Sequence, residues 1–355
     1  MRAVGLMSGT SLDGVDAAWI ETDGERVLAT GPALTLAYDD LLRSDLRRLL
    51  DLAAGLAEDD AFVVDVTRRL TLRHVEAVAA IGRAAEIIGF HGQTILHAPA
   101  QRRTWQIGDA GLLARATGTR VAFDFRSADV AAGGEGAPLV PVYHAALAAG
   151  LEKPLAVLNL GGVGNVTWIG RDGTLLAFDT GPGNGPLDDW VSRRTNLAFD
   201  RDGEVSAGGT VDAAVLGRLL AHPYFARLPP KSLDRLDFGR ALAASGVDAL
   251  SVADGAATLA AFTAASAAIA RLPEAPRRWL VTGGGRLNPT IMTQLQARLG
   301  VPVEPVEAVG WDGDALEAQC FGLLAVRTAL GLPISFPGTT GVPFALVGGR
   351  LEGSK

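Results

Sequence analysis

Apolar residues in this chain come in short runs, and several of the runs end in glycine. Residues 2–7, "RAVGLM", lead into the polar, glycine-bearing segment "SGTSLDG", and "VDAAWI" at 15–20 turns apolar again. That pattern predicts a strand, a tight turn and a second strand. The plan recurs from 154 to 178: "PLAVLNL", "GGVGN", "VTWI", "DG", "TLLAF". An internal repeat spaced about 150 residues apart predicts two related α/β lobes. Other apolar strands are expected at "AEIIGF", "RVAFDF", "RWLVTG" and "VPVEPV". Helical stretches are expected at 41–56, 62–83 and 110–117, then at 187–195, 211–220, 251–271, 290–299 and 315–330. Strands alternating with helices imply a mixed or parallel sheet with helices packed on it. The segment 332–350 reads as loop and is expected to return to the first lobe. The expected lobes are 1–135, joined by 332–355, and 136–331.

Composition narrows the function. A chain of 355 residues, 48% hydrophobic and 20% charged, is globular and too long for one ordinary core. A net charge of -7 gives no footprint for nucleic acid or for an anionic membrane surface. The uncharged stretch 255–270 is shorter than the ~20 residues needed to span a bilayer, and is expected to form a buried helix. No apolar leader opens the chain, since Gly5, Ser8 and Gly9 interrupt it, so a soluble, cytoplasmic protein is expected. The single cysteine, Cys320, excludes a disulfide framework, and its apolar setting predicts a buried, inert thiol.

The glycine turns carry the candidate chemistry. Phosphate groups need converging backbone N–H donors and hydroxyls, and glycine lets the main chain come close. Gly9, Thr10, Ser11 and Gly14 offer this, although Asp13-Gly14 would also serve a plain hairpin turn. "LNLGGVGNVT" at 158–167 is the counterpart in the repeat. "WLVTGGGRLNPTIM" at 279–292 runs a strand into three glycines, with Asn288 as a helix N-cap and Pro289 at the first helical position. Glycines there would admit a flat ring such as adenine. In "LLAFDTGPGN", Asp179 ends an apolar strand, where open α/β sheets place ligands, though an Asx-type turn would also use it. His91 and Gln93 are expected just past a strand end. Arg126 would either fork onto a substrate oxygen or pair with a neighbouring carboxylate. Glu317, three after Asp314, has capping-box spacing. None of the three lysines sits in a GxxxxGK[ST] loop, and the five histidines are too scattered for a zinc motif.

These stretches resemble the anhydro-N-acetylmuramic acid kinase family, within the actin, hexokinase and heat-shock chaperone ATPase superfamily. The resemblance rests on "GLMSGTSLDGVD" (5–16), "GFHGQTILH" (89–97), "DFRSADVAAGGEGAPLVP" (124–141), "NLGGVGNVT" (159–167), "FDTGPGN" (178–184) and "GGG" (283–285). It implies a two-lobed actin/hexokinase-like α/β fold, each lobe a mixed sheet with flanking helices and the active site in the cleft between lobes. It also implies ATP and Mg2+ as cofactors and an amino-sugar substrate, with a homodimer among the open oligomeric states and the metal ligands unassigned. Asp179 would be the catalytic base. ATP would be bound by Gly9, Thr10, Ser11, Leu12, Asp13, Gly14, Val15 and Asp16, with Gly161, Gly162, Asn165, Gly181, Gly283, Gly284 and Gly285. Substrate would be bound by His91, Gln93, Arg126, Asp129, Asn184 and Glu317. The implied reaction opens the 1,6-anhydro ring with water and phosphorylates O6. The chain departs from the family pattern at Gly185-Pro186, beside the base, and at Glu135. A plain sugar kinase on a free 6-hydroxyl, and a non-catalytic ATP or sugar sensor, are the alternatives.

Overall fold

The computed structural model describes residues 1–9, 11–233 and 238–353. The chain divides into two compact units, Met1–Ala149 with Ala315–Lys355, and Gly150–Asp314. These boundaries replace the expected 135/136 and 331/332. Helix Leu316–Leu330 belongs to the first unit because its small residues pack on that unit's sheet.

In the first unit β1 (Arg2–Ser8), β2 (Gly14–Thr22) and β3 (Val27–Ala37) form an antiparallel meander. The other side of β1 pairs in parallel with β4 (Ile87–Ala98). The later part of β4 pairs with β5 (Arg103–Ile107), and its start pairs with β6 (Arg120–Phe123). The C-terminal strand Arg350–Glu352 adds to β6. Alternation gives the sheet two unlike faces. Val4 and Leu6 join a core with Leu42, Leu46, Val66 and Leu70, from helices Asp40–Leu52 and Ala61–Ile81. On the opposite face Gly5 and Gly89 let helix Leu316–Leu330 lie directly against the sheet. A Cβ on Gly5 would come within 1.8 Å of the Ala318 carbonyl oxygen, and one on Gly89 within 1.9 Å of that of Phe321.

The second unit repeats the scheme. β7 (Leu155–Leu160), β8 (Val163–Ile169) and β9 (Leu175–Pro182) form the meander, and β10 (Trp279–Thr282) and β11 (Val303–Pro305) continue in parallel beyond β7. Reading β3-β2-β1-β4-β6 against β9-β8-β7-β10-β11 shows the same strand order and directions. The internal repeat is therefore a repeat of topology. Helix Val252–Ala268 is buried on every side from Gly255 to Ala267, as its uncharged sequence predicts. Asn288 caps helix Pro289–Leu299, accepting the N–H groups of Thr290 and Ile291.

Three histidines, His74, His91 and His144, are buried. Burial holds His74 down to about 4, His144 down to about 3 and His91 well below its ordinary value. The unfolded chain therefore binds more protons below about pH 6.5, and folding stability falls as pH falls from there. Asp179 and Glu317 are raised by burial and act with the opposite sign. We expect denaturant midpoints to drop between pH 7 and pH 5, with each buried histidine contributing up to about 2 kcal/mol. In His74→Gln the dependence on pH should be shallower, and equal slopes for both proteins would contradict this account.

Candidate active site

The β1–β2 connection carries the first group of expected ligand residues. Thr10 lies outside the described residues; Gly9 and Ser11 onward are placed. Leu12 is buried at φ 58°, a left-handed conformation that costs an apolar residue energy. Its N–H donates to the Gly9 carbonyl at 3.2 Å, closing the turn. Asp13 leads into β2, where Gly14 and Val15 begin the strand and Asp16 accepts the Thr35 hydroxyl at 2.5 Å. Gly14 is needed by the fold, since a Cβ there would meet the Leu36 carbonyl oxygen at 2.5 Å.

Behind this hairpin stand the polar residues of β4 and of the segment after β6. His91 and Gln93 lie within β4, which runs on to Ala98, and not past a strand end as the sequence suggested. The pairing with β1 slips between Leu6 and Ser8, and Gly92 takes φ 70° there. The neutral His91 donates from Nδ1 to the Gly92 carbonyl at 2.7 Å, so its Nε2 accepts from Arg126 Nε at 3.1 Å. Arg126 also donates from Nη1 to the Gly136 carbonyl at 2.7 Å. Burial lowers the Arg126 pKa, and the carboxylate of Glu317 opposes that shift. Gln93 is fully buried and donates to Thr94 O, while its Oε1 has no hydrogen-bond partner among the described residues.

Asp129, expected to bind substrate, organises a loop. One carboxylate oxygen accepts Gly136 N at 2.7 Å, the other accepts the Thr340 hydroxyl at 2.6 Å, and the side chain is buried. Glu317 does not form the capping box its spacing allowed: Ala315 is the N-cap of helix Leu316–Leu330, without a side-chain cap. Its side chain stays solvent-accessible, yet enough protein surrounds it that lost solvation raises its carboxyl. Arg126 pulls the other way, and the charge of Asp16 adds to the rise. Glu317 thus feels the charges of both Arg126 and Asp16 within the first unit. Cys320, one turn along the same helix, is buried and its thiol is pushed up by burial.

In the second unit Asn159, Asn165 and Asp179 occupy one register row across β7, β8 and β9. Sequence reading passed over Asn159, although it interrupts an otherwise apolar strand. Asp179 is largely enclosed. Its Oδ2 accepts Leu233 N at 2.8 Å, and its carbonyl accepts the Tyr224 hydroxyl at 2.5 Å. Burial pushes its carboxyl up to about 6, against the stabilising Leu233 bond. Neither Leu233 nor Tyr224 carries a sequence signal for this role, because both come from a segment distant along the chain.

Three glycine turns meet around Asn184. Gly183 N donates to Gly162 O at 3.1 Å and Asn184 N to Gly161 O at 2.8 Å, so the two turns are joined through backbone. Asn184 Nδ2 donates to Asp188 Oδ2 at 2.8 Å, and its Oδ1 is buried without a partner among the described residues. The unusual Gly185-Pro186 forms the start of helix Gly185–Arg194, where proline suits the first turn. A Cβ on Gly185 would lie 2.9 Å from Gly162 O, which accounts for the residue.

The glycines fall into two groups. Gly183, Gly283 and Gly285 have protein atoms within 2.0–2.6 Å of a Cβ, and Gly181 has Ser266 at 2.8 Å. Gly9, Gly161, Gly162 and Gly284 have nothing nearer than 3.6 Å and take no left-handed φ. The fold does not require glycine at those four positions, and a close approach to the backbone there meets no side chain.

The sequence model of the anhydro-N-acetylmuramic acid kinase family matches residues 1–351. The anhydro-N-acetylmuramic acid kinase of Acidiphilium cryptum (strain JF-5) is 63% identical over 99% of this chain and 98% of its own. That of Rhodospirillum rubrum is 57% identical over 98% and 93%. Among solved structures, (R)-2-hydroxyglutaryl-CoA dehydratase component A of Acidaminococcus fermentans gives a TM-score of 0.49 at 10% identity, covering 93% of this chain and 99% of that one. A ROK family glucokinase from Streptomyces griseus, in complex with glucose and AMPPNP, gives 0.40 at 13%, covering 92% and 100%. No helix among the described residues is long and apolar enough to cross a membrane.

The division of the glycines can be tested without any ligand. Gly9→Ala and Gly162→Ala should melt within about 2 °C of the unsubstituted protein, the range of a surface change. Gly183→Ala forces backbone apart and should cost about 3 kcal/mol or more. Calorimetric melting of the three variants checks this, and a Gly162→Ala as unstable as Gly183→Ala would show that the fold claims both.

Proposed function

The chain belongs to the anhydro-N-acetylmuramic acid kinase family, and from that premise we propose that it opens the 1,6-anhydro ring of anhydro-N-acetylmuramic acid with water and transfers the γ-phosphoryl group of ATP to O6. The products are N-acetylmuramic acid 6-phosphate and ADP, as in the cytoplasmic recycling of cell-wall sugars. Asp179 carries this reading. A general base works best when its pKa lies near the working pH, and burial has moved this carboxyl to about 6 while Leu233 N fixes one of its oxygens.

Asp179 takes a proton from water as the water oxygen bonds to C1. The C1–O6 bond breaks with its electron pair on O6, and O6 attacks the γ-phosphorus as ADP leaves. The hairpin at Gly9–Asp16 and the turns at Gly161-Gly162 and Gly283–Gly285 serve the nucleotide, with backbone amides facing the phosphates at the glycines the fold leaves open. Asn165 and Gly181 shape the strands beside the base. The amide oxygen of Gln93 in the first unit, and that of Asn184 in the second, each without a partner among the described residues, suit donor groups of an amino sugar. Glu317 and Arg126 add a charged pair for sugar oxygens, with His91 fixing the Arg126 fork and Asp129 shaping the turn at Gly134–Gly136.

Mg2+ takes one or two carboxylates together with nucleotide phosphates, so it does not need a cluster of three acidic or imidazole ligands. None occurs among the described residues. Asp16, next to the hairpin and coupled to Glu317, fits that demand. When bound, the ion neutralises charge on the phosphoryl group being transferred.

Asp179→Asn should lower turnover at least ~100-fold while ATP binding in calorimetry stays nearly unchanged. Because the base must be ionised, kcat/KM should fall as pH drops through about 6. Turnover of the variant within a few-fold of the unsubstituted enzyme would remove Asp179 from the reaction. In oxygen-18 water the product should carry label at C1 and phosphate at O6, whereas a kinase of free 6-hydroxyls would leave the anhydro sugar untouched.

A further inference from the structure

The β1–β2 hairpin is held by side chains that the mechanism leaves without a role. Tyr38 follows β3, Arg43 lies in helix Asp40–Leu52 and His74 in helix Ala61–Ile81, so three separate elements converge on it. Arg43 Nε donates to Leu12 O at 3.0 Å. Tyr38 N donates to Asp13 O at 3.1 Å, and Arg43 Nη2 reaches the same oxygen at 3.5 Å. With Leu12 N on Gly9 O, the carbonyls of Gly9, Leu12 and Asp13 are all engaged within the protein.

Beneath the hairpin, the Tyr38 hydroxyl donates to Ser8 Oγ at 2.9 Å, and Ser8 is 2.9 Å from His74 Nε2. His74 Nδ1 faces the Leu70 carbonyl at 2.8 Å, which fixes the proton on Nδ1 and makes Nε2 the acceptor of the Ser8 hydroxyl. Ser8 and His74 are at most 1% exposed. Filling this space would need only apolar side chains, and burying polar groups costs energy unless all are paired. A satisfied chain of such groups allows one geometry only.

We propose that Tyr38, Arg43 and His74 are positioning residues for the hairpin: Arg43 and Tyr38 hold the Leu12 and Asp13 carbonyl oxygens, Tyr38 and His74 fix Ser8 at its base, and the hairpin is thereby kept ready for the phosphates of ATP. Carbonyl oxygens repel an anion, so a loop can accept phosphate only when they point elsewhere. Leu12, held at φ 58°, is the strained point that these contacts keep in place. The proposal rests on the phosphate-loop reading of this hairpin.

Calorimetric titration of the full chain with ATP, and separately with adenosine, which lacks phosphates, tests it. Arg43→Met should raise the Kd for ATP about tenfold, and Tyr38→Phe, which alters no charge, about threefold. Adenosine affinity should stay within about twofold in both, and Arg43→Lys should recover part of the loss. ATP affinities unchanged in both variants, or equal losses for ATP and adenosine, would overturn the positioning role. Failure of the unsubstituted chain to bind ATP more tightly than adenosine would instead overturn the phosphate-loop reading, and the clamp with it.

Discussion

Gly5 and Gly89 bring the backbone of helix Leu316–Leu330 directly onto the middle of the first sheet, and the site in that unit depends on this contact. No side chain separates the two surfaces at those points, since any Cβ would overlap the carbonyls of Ala318 or Phe321. From the helix side, a Cβ on Gly322 would lie 3.1 Å from Ile20 Cγ1. A larger residue in this layer would lift the helix and cost about 1–3 kcal/mol or more in strain. The same lift would carry Glu317 away from Arg126 and Asp16, whose charges it feels. It would also disturb the bond from the Tyr143 hydroxyl to Gln319 at 2.7 Å. Stability and site geometry therefore share one cause here, the smallness of the residues between sheet and helix.

The second unit uses glycine differently. Its contact is made between turns, where Gly183 and Asn184 bind the carbonyls of Gly161 and Gly162. Joining the turn after β9 to the turn between β7 and β8 fixes both against the strand that carries Asp179. Within this junction a Cβ on Gly183 would meet the Gly161 carbonyl, whereas Gly161 and Gly162, like Gly284, have open space on the side where a Cβ would stand. One residue type thus meets two conditions within a few residues: close backbone packing at some positions and open space, where the proposed nucleotide would approach, at others. Sequence cannot separate these conditions, because both read as a glycine run.

Much of the fold was legible because apolar periodicity is strong in its central elements. Helix 110–117 was read with its observed ends, and Asn288 and Pro289 marked a helix start through their own backbone chemistry. β3 and β5 were missed for a physical reason. β3 is largely exposed and contains Gly31 and Pro32, so it shows no alternating core pattern. β5 pairs only with β4, away from the main strand order. The site was legible as far as local motifs carry it. Asp179 and the glycine turns announce themselves, while Leu233, Tyr224, Tyr38, Arg43 and His74 act through contacts that only the fold creates. Glu317 shows the converse: its local spacing allowed a capping box, and the fold leaves it instead as an uncapped, raised carboxyl.

Desolvation is the common electrostatic instrument in both units, and its sign differs with the group. It raises Asp179 and Glu317 and lowers His74, His91 and Arg126. For the histidines, neutrality above about pH 6.5 is the favourable state, so burial costs little where the ionised base is needed. For Asp179 the relation is reversed, because the ionised form that can accept a proton is the one that burial disfavours. Among the described residues the Leu233 N–H is the group that opposes that penalty directly. A second strong donor at Asp179 would ionise it more fully but make it a weaker base. The balance of burial against that bond keeps the carboxyl near 6, mostly ionised at neutral pH and still basic enough for the proton transfer proposed for it.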